Sequence, residues 1–253
     1  MTDIHRIRQL ERQLSTCEET PNLDILVRID TMNDLAWALS DTDATRSQSL
    51  AEKAHTLSKS VHEGTEHYQL GVAYSLRTLG YLNMRLGNHP LGLTQLLEAQ
   101  EILESLEHVD GLPDVLDGIT GICFQTGNFA EGLKYGYRQL EAAQRTRDKR
   151  LIANAYNNLA AIYFETGDFE RAVETLRNNL EIAIEIGYER IESISHMNLA
   201  EAYGLMEKYD KALEHGESAL RVSQQVGFEM FQVYSLNIQG ETYRKMGDTA
   251  QAL

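Results

Sequence analysis

Residues 151–190 read LIANAYNNLAAIYFETGDFERAVETLRNNLEIAIEIGYER, and residues 191–230 read IESISHMNLAEAYGLMEKYDKALEHGESALRVSQQVGFEM. The two stretches align without a gap and share nine identical positions, among them Asn158/Asn198, Tyr163/Tyr203 and Gly187/Gly227. An internal period of this length is typical of proteins built from stacked structural repeats. The chain is therefore expected to use one structural unit several times.

Each of these stretches predicts two helices joined by a tight turn. Apolar residues such as Leu159 and Tyr163 recur at three- and four-residue spacing, and a second stripe begins at Phe169. Gly167 separates the stripes, because glycine adopts backbone conformations that a helix interior excludes. Small residues such as Ala172 let the two backbones approach closely. One helix pair cannot bury its stripe alone, so neighbouring units must stack.

The turn position recurs along the chain at a constant spacing of forty residues, at Gly87, Gly127, Gly167, Glu207 and Gly247. Only Glu207 departs from glycine. We predict a capping helix and linker over residues 1–22, in which Ile4, Ile7, Leu10 and Leu14 share one side. An array of about six repeats is predicted over residues 23–253, divided as 23–66, 67–111, 112–150, 151–190, 191–230 and 231–253. The last repeat is expected to be truncated, since the sequence stops inside its second helix.

At this point the pattern resembles a known family, the tetratricopeptide repeat, whose signature includes a small residue and an aromatic residue in each helix. The residues that carry the resemblance are Leu159, Ala160, Tyr163, Gly167, Phe169, Ala172 and Leu180. The usual period is about 34 residues, so this chain resembles the extended variety, without the usual Trp of the first helix and Pro of the second. The resemblance implies an all-α fold, a right-handed α-solenoid of stacked antiparallel helix pairs.

Composition restricts the partners and the compartment. The formal net charge is -15, which disfavours binding to nucleic acid or to an anionic membrane, because phosphate groups attract clustered cations. No stretch approaches the roughly eighteen apolar residues of a membrane-spanning helix, and the N-terminus lacks the apolar core of a signal peptide. Cys17 and Cys123 match no zinc or redox spacing. We expect a cytoplasmic protein with no metal and no cofactor.

The sequence also contains no pattern that predicts catalysis. No strand precedes a glycine-rich phosphate loop, and the zinc-protease motif is missing. Acidic pairs four residues apart on helices are typical of a solvated surface. We therefore expect this segment to be no enzyme, while an output domain beyond Leu253 is conceivable for a longer protein.

The resemblance implies that the first helix of each repeat lines a concave groove, and that a peptide or protein binds there. The candidate groove residues are Tyr74, Arg77, Tyr81, Arg85, Asn154, Asn158, Asn198 and Glu201. The same stripe in the last two repeats includes Ile194, Leu205, Tyr234, Ile238, Glu241 and Lys245. Asn158 and Asn198 occupy the position at which peptide-binding relatives hold the main chain of the ligand. A carboxamide suits that role, since it donates and accepts. The alternative is that these two residues only bridge helices.

Three functions remain open from the sequence. The first is a non-catalytic scaffold that binds proteins or peptides as the sensory or regulatory module of a larger bacterial signalling protein, such as a nucleotide cyclase, a kinase or a transcription regulator. The second is a free-standing adaptor, and the third is a regulator that senses a signal peptide. A homodimer through the ends of the array is a further expectation.

Overall fold

A computed structural model describes residues 3–19, 24–63, 66–248 and 250–252. Over these residues the chain forms twelve α-helices, which are connected by short turns. Their bounds are α1 Asp3–Glu19, α2 Ile25–Leu39, α3 Ala44–Ser60, α4 Gln69–Arg85, α5 His89–Ser105, α6 Leu112–Gln125, α7 Phe129–Thr146, α8 Lys149–Glu165, α9 Phe169–Glu185, α10 Glu189–Leu205, α11 Tyr209–Val226 and α12 Glu229–Met246. The predicted all-α solenoid of stacked helix pairs is confirmed.

One small element within the described residues is not helical. His62–Glu63 (β1) pairs antiparallel with Glu66–His67 (β2), between α3 and α4. The sequence pattern predicted no strand, and two residues are too few to show the alternation that marks one. The pair serves as a connection rather than as a sheet with a core of its own.

The helices form two compact units, residues 1–126 with α1 to α6 and residues 127–253 with α7 to α12. In the first unit α4 contacts both α2 and α6, and in the second unit α10 contacts both α8 and α12. The first helices of successive pairs therefore lie side by side within each unit. The predicted repeat 112–150 contributes α6 to one unit and α7 to the other, and the division into six repeats stays a prediction.

Each predicted turn position has a left-handed backbone. The φ angles are 77° at Gly87, 71° at Gly127, 73° at Gly167, 59° at Glu207 and 83° at Gly247. Glu207 adopts the same conformation as the glycines, although a side chain disfavours it. A second series of positive φ angles, also spaced by forty, comprises Glu107, Arg147, Gly187 and Gly227. In this second series only Gly187 and Gly227 indicate a turn from the sequence, because Glu and Arg are not typical turn residues.

The core contains the small residues that the repeat predicts. Ala172 and Ala212 are fully buried in the second unit, with Leu159 packed beside Ala172. In the first unit, Leu10 of α1 packs against the cluster that contains Ile29 of α2. Ile7 and Leu14 also pack against this cluster, whereas Ile4, which is predicted on the same side of α1, is 62% exposed.

Candidate functional site

In the first unit, the four candidate residues of α4 lie one helical turn apart. Arg77 was expected to be an exposed cation in a groove, but it is buried. The side chain of Arg77 is only 6% exposed, and its Nη1 donates to Asp114 of α6 at 3.0 Å. The guanidinium lies 4.2 Å from the ring centroid of Trp37 and 4.7 Å from that of Tyr74. Arg77 therefore joins α2, α4 and α6 by an ion pair and two cation–π contacts.

Arg85 makes a similar but exposed arrangement at the end of α4. Its Nη1 donates to Asp41 at 2.5 Å and to the main-chain carbonyl of Ser40 at 3.0 Å. The guanidinium carbon is 5.9 Å from the centroid of the Tyr81 ring, and the Tyr81 hydroxyl donates to Asp41 at 3.2 Å. The side chain of Arg85 is 44% exposed, so solvent reaches this ion pair and weakens it.

Further carboxylates surround these groups. Asp34 and Asp110 are exposed and act electrostatically on Tyr74, while Asp117 acts on Tyr81. We call the whole surface the acidic–aromatic face, which consists of Asp34, Trp37, Asp41, Tyr74, Arg77, Tyr81, Arg85, Asp110, Asp114 and Asp117. Its five aspartates exceed its two arginines, so its formal charge is negative; Arg6 of α1 is a third cation close enough to act on Arg77.

The two tyrosines of this face remain protonated at neutral pH. Burial raises the pKa of Tyr74 to about 12, with Asp110 and Asp114 adding to the effect. Burial, followed by Asp41, likewise raises the pKa of Tyr81 to about 12. Both rings therefore offer a neutral π surface, and the Tyr81 hydroxyl stays a hydrogen-bond donor.

In the second unit, the two candidate asparagines have different surroundings. The amide nitrogen of Asn158 on α8 donates to Gln139 of α7 at 3.0 Å, and Gln139 is 2% exposed. Through this hydrogen bond Asn158 bridges two helices, which is the alternative role that the sequence left open for it. Asn198 of α10 makes no side-chain hydrogen bond to any other described residue, and it is half-buried.

The repeat explains this difference. Asn158 and Gln139 are nineteen residues apart, and the same offset from Asn198 leads to Asn179 of α9. Asn179 is fully buried, and neither atom of its carboxamide has a hydrogen-bond partner among the described residues. Asn is one methylene shorter than Gln, so Asn179 does not make the bond that Gln139 makes one repeat earlier. The amide of Asn198 is left available.

A cavity of about 1090 Å³ lies between α10 and α12. Most of the predicted stripe of the last two repeats lines it: Asn198, Glu201, Leu205, Tyr234, Ile238, Glu241 and Lys245. Ile194 lies outside this lining, as do Asn154, which is exposed on α8, and Asn158. The structure thus brings Asn198 and Glu201 together in one concave site, which we call the α10–α12 cavity.

A histidine pair on α10 and α11 was not predicted from the sequence. The Nδ1 atoms of His196 and His215 are 2.9 Å apart, and the ring of Tyr203 stacks on His215 at 5.5 Å. Burial lowers the pKa of His196 to about 4, and it also lowers the pKa of His215. Their offset of nineteen residues, the same as for Asn158 and Gln139, is the signal that could have found them. No group of three metal-ligating side chains occurs among the described residues.

Sequence comparison assigns the family. The model described as tetratricopeptide repeat matches residues 115–185 and 190–253, which together make up just over half of the chain. The chain therefore belongs to the tetratricopeptide repeat family, as the sequence predicts. Comparison with curated protein sequences gives no match. No helix of the described residues has both the length and the apolar character needed to cross a membrane.

Several solved structures share the fold. BtubC (BKLC) from P. vanneervenii superposes with a TM-score of 0.72 at 18% identity, over 90% of this chain and 93% of that one. A STAND protein with a tetratricopeptide repeat sensor from Pyrococcus horikoshii gives 0.67 at 19% identity, and the match covers 96% of this chain but 38% of that protein. A Rap protein complexed with competence and sporulation factor gives 0.68 at 14% identity, over 94% and 75%. At these identities the likeness shows the fold alone.

Proposed function

We propose that this chain is a non-catalytic module that binds a protein or an extended peptide, and that it is the sensory or regulatory part of a larger bacterial signalling protein in the cytoplasm. The observation that carries the proposal is the α10–α12 cavity. Its lining includes most of the stripe of first-helix residues that the repeat directs to one side in the last two repeats. A concave site with apolar walls and a few polar groups is the usual form of a ligand-binding site.

The lining suits a peptide. The carboxamide of Asn198 can donate to a main-chain carbonyl and accept from a main-chain amide. Leu205, Tyr234 and Ile238 offer apolar surface to side chains, and Lys245 and Glu241 provide one charge of each sign. This combination fixes the direction of an extended chain while it leaves the side-chain specificity to the walls.

The two asparagines are proposed to have separate roles. Asn158 donates its amide to the buried oxygen of Gln139, so its first contribution is to the packing of α8 on α7. Asn198 has the same place in its repeat but no such partner within the described residues. We assign the main-chain contact with the ligand to Asn198.

The larger context is supported by the STAND neighbour, which is described as having a tetratricopeptide repeat sensor and of which the match covers 38%. A free-standing adaptor is the second candidate, because the match to BtubC extends over almost the whole of that protein. Self-association through the ends of the array stays a prediction.

The test is a selection of randomised decapeptides on the immobilised chain, followed by calorimetry of the selected peptides in solution. Loss of one hydrogen bond to a buried partner costs about 1–3 kcal/mol, so Asn198→Ala should weaken binding by about tenfold. The matched control is Asn178→Ala, which removes an exposed carboxamide from α9. Equal affinity of the wild type and Asn198→Ala for every selected peptide would exclude the cavity as the binding site.

A further inference from the structure

A group of cationic and aromatic side chains in the second unit joins α9, α10 and α11. Lys211 Nζ lies 5.4 Å from the centroid of the Tyr203 ring, and the ring of His215 stacks on Tyr203 at 5.5 Å. Arg177 of α9 acts electrostatically on His215, as Lys211 does. Neither Arg177 nor Lys211 forms an ion pair with a carboxylate in the described part of the chain. We call Arg177, Tyr203, Lys211 and His215 the cationic–tyrosine cluster.

The preceding repeat gives the equivalent tyrosine a partner inside the protein. The hydroxyl oxygens of Tyr163 on α8 and Tyr137 on α7 are 2.6 Å apart and share a hydrogen bond. Forty residues later, Arg177 stands at the position of Tyr137, and Tyr203 stands at that of Tyr163. Tyr203 is only 3% exposed, yet it makes no side-chain hydrogen bond to a described residue. Its hydroxyl can therefore donate to an acceptor from outside the chain.

The charges around the cluster favour an anion. The ionisable side chains that act on the two rings of the histidine pair are Arg177 of α9 and Lys211, Glu214 and Arg221 of α11. Three cations thus face one carboxylate, in a chain whose formal net charge is -15. The neighbouring helices contribute uncharged residues here, Ala160 of α8 and Gln239 of α12. A local excess of positive charge attracts an anion.

The histidine pair supplies a third cation when an anion binds. Burial lowers the pKa of His196 to about 4, so this ring is neutral at pH 7, and its Nδ1 can accept a hydrogen bond from Nδ1 of His215, 2.9 Å away. Burial also lowers the pKa of His215, and Glu214 opposes this effect. Because a nearby negative charge favours the charged form of an imidazole, His215 is the ring that takes up a proton on anion binding.

We propose that the cationic–tyrosine cluster binds a phosphate group, either as inorganic phosphate or on a phosphorylated side chain. A phosphate monoester has about two negative charges at neutral pH and three strong acceptor oxygens, which suits donors that come from three helices. The guanidinium of Arg177 can bind two of these oxygens, and the ammonium of Lys211 acts as a point charge. None of the four residues lines the α10–α12 cavity, so this site is separate from the proposed peptide site.

The test is an NMR titration of the full chain, in which the ring signals of His215 report on the site. Sodium sulfate is the first probe, because it keeps two negative charges throughout the titration, and sodium chloride of equal ionic strength is its control. Sulfate should raise the pKa of His215, whereas chloride should not. Inorganic phosphate and N-acetyl-O-phosphoserine methylamide then distinguish the two sources. Tighter binding of the ester indicates a phosphorylated partner, and tighter binding of inorganic phosphate indicates the free ion.

Variants locate the site. Arg177→Gln/Lys211→Gln should weaken sulfate binding about tenfold, the sum expected for two partly exposed ionic contacts. Its matched control is Arg145→Gln/Lys134→Gln, which removes two exposed cations from α7 and should leave the affinity nearly unchanged. Arg177→Tyr introduces the residue of the preceding repeat. It is the second variant if the double substitution impairs folding, and it should also weaken binding.

Glu214→Gln gives a change of opposite sign. It removes the one carboxylate that acts on His215, so sulfate should bind more tightly than to the wild type. Glu174→Gln, an exposed carboxylate at the same position of the preceding repeat, should have little effect. Equal effects of sulfate and chloride on His215, or sulfate binding that persists undiminished in Arg177→Gln/Lys211→Gln, would overturn the proposal. The effect of Asn198→Ala on the selected peptides judges the cavity separately.

Discussion

The two units place the same repeat positions on the same side of their first helices, but the side chains there are used differently. In the first unit, Arg77 and Asp114 are bound to each other inside the stack, and Arg85 is bound to Asp41 at its edge. In the second unit, Asn198 and Glu201 line a cavity, and Asn198 makes no side-chain hydrogen bond within the described part of the chain. The stripe position therefore sets where a residue lies, while its neighbours decide whether it is free to bind.

This difference has a simple origin in the lengths and charges of the neighbouring side chains. Arg77 on α4 is long enough to reach Asp114 on α6, and the two side chains form an ion pair with each other. Asn179, the shorter counterpart of Gln139 in the next repeat, makes no side-chain hydrogen bond to a described residue, so the amide of Asn198 stays available.

The largest effect is expected where the first unit is tied together. Asp114→Ala leaves the guanidinium of Arg77 buried without its carboxylate, which should lower the free energy of unfolding by about 3 kcal/mol or more. Asp41→Ala breaks the exposed pair with Arg85 and should cost less than about 1 kcal/mol. Urea unfolding followed by circular dichroism measures both. Similar costs for the two changes would show that Arg77 does not depend on Asp114.

The histidine pair should make the second unit sensitive to acid. Because burial lowers the pKa of His196 from 6.5 to about 4, the unfolded chain binds a proton in this pH range that the folded chain excludes. Stability should therefore fall as the pH drops from 6.5 towards 4, by about 1–2 kcal/mol between pH 7 and pH 5 after allowance for partial solvent exposure. Below the folded pKa this contribution should level off.

The control uses the residues that the preceding repeat has at the same positions, Tyr156 and Thr175. The melting temperature of the double variant His196→Tyr/His215→Thr should change less between pH 7 and pH 5 than that of the wild type. The contribution of the histidine pair to this pH dependence is removed in the variant. An unchanged slope would place the acid sensitivity elsewhere in the chain.

Replacing Asn179 by the residue at the same position in the preceding repeat, Gln139, should give Asn198 the hydrogen-bond partner that Asn158 has. Asn179→Gln supplies the missing methylene, so the bond to Asn198 should form as Gln139 forms it with Asn158. We expect a gain of about 1 kcal/mol in stability together with weaker binding of the selected peptides. The observation that Gln139 is itself 2% exposed indicates that the position accommodates Gln. Destabilisation would mean that the two repeats pack differently here.

The smallest effect concerns a turn. Glu207 has a φ of 59°, where a side chain costs about 1–2 kcal/mol relative to its usual conformations. Glu207→Gly removes this cost but adds backbone freedom to the unfolded chain, so the net gain should be a few tenths to about 1 kcal/mol. Gly167→Ala at the equivalent turn should lose a similar amount, since a Cβ there meets no atom within 4 Å and only the φ angle matters. Equal melting temperatures of all three proteins would contradict the argument.

The fold could be predicted from the sequence because the same packing residues recur in several repeats. Ala172 and Ala212, or Gly127 and Gly167, mark the same contact or turn at the same spacing of forty residues, so chance agreement is excluded.

The candidate site was predictable only in part. The stripe rule found Asn198 and Glu201 in the α10–α12 cavity, but it could not show that Arg77 is buried. That outcome depends on Trp37 and Asp114, which are about forty residues away on either side and have no fixed identity in the repeat. His196 and His215 escaped notice for the same reason, since the preceding repeat has Tyr156 and Thr175 at these positions.

Asn198 is proposed to contact the ligand while Asn158 mainly supports the stack, and one paired measurement tests these two roles. Asn158→Ala and Asn198→Ala are each compared with the wild type by calorimetry against one selected peptide and by thermal unfolding. Asn198→Ala should lose about tenfold in affinity with little change in melting temperature. Asn158→Ala should lower the melting temperature, because it leaves the buried Gln139 without this donor, and should change the affinity less. Equal losses of affinity in both variants, or the reverse assignment, would contradict the account.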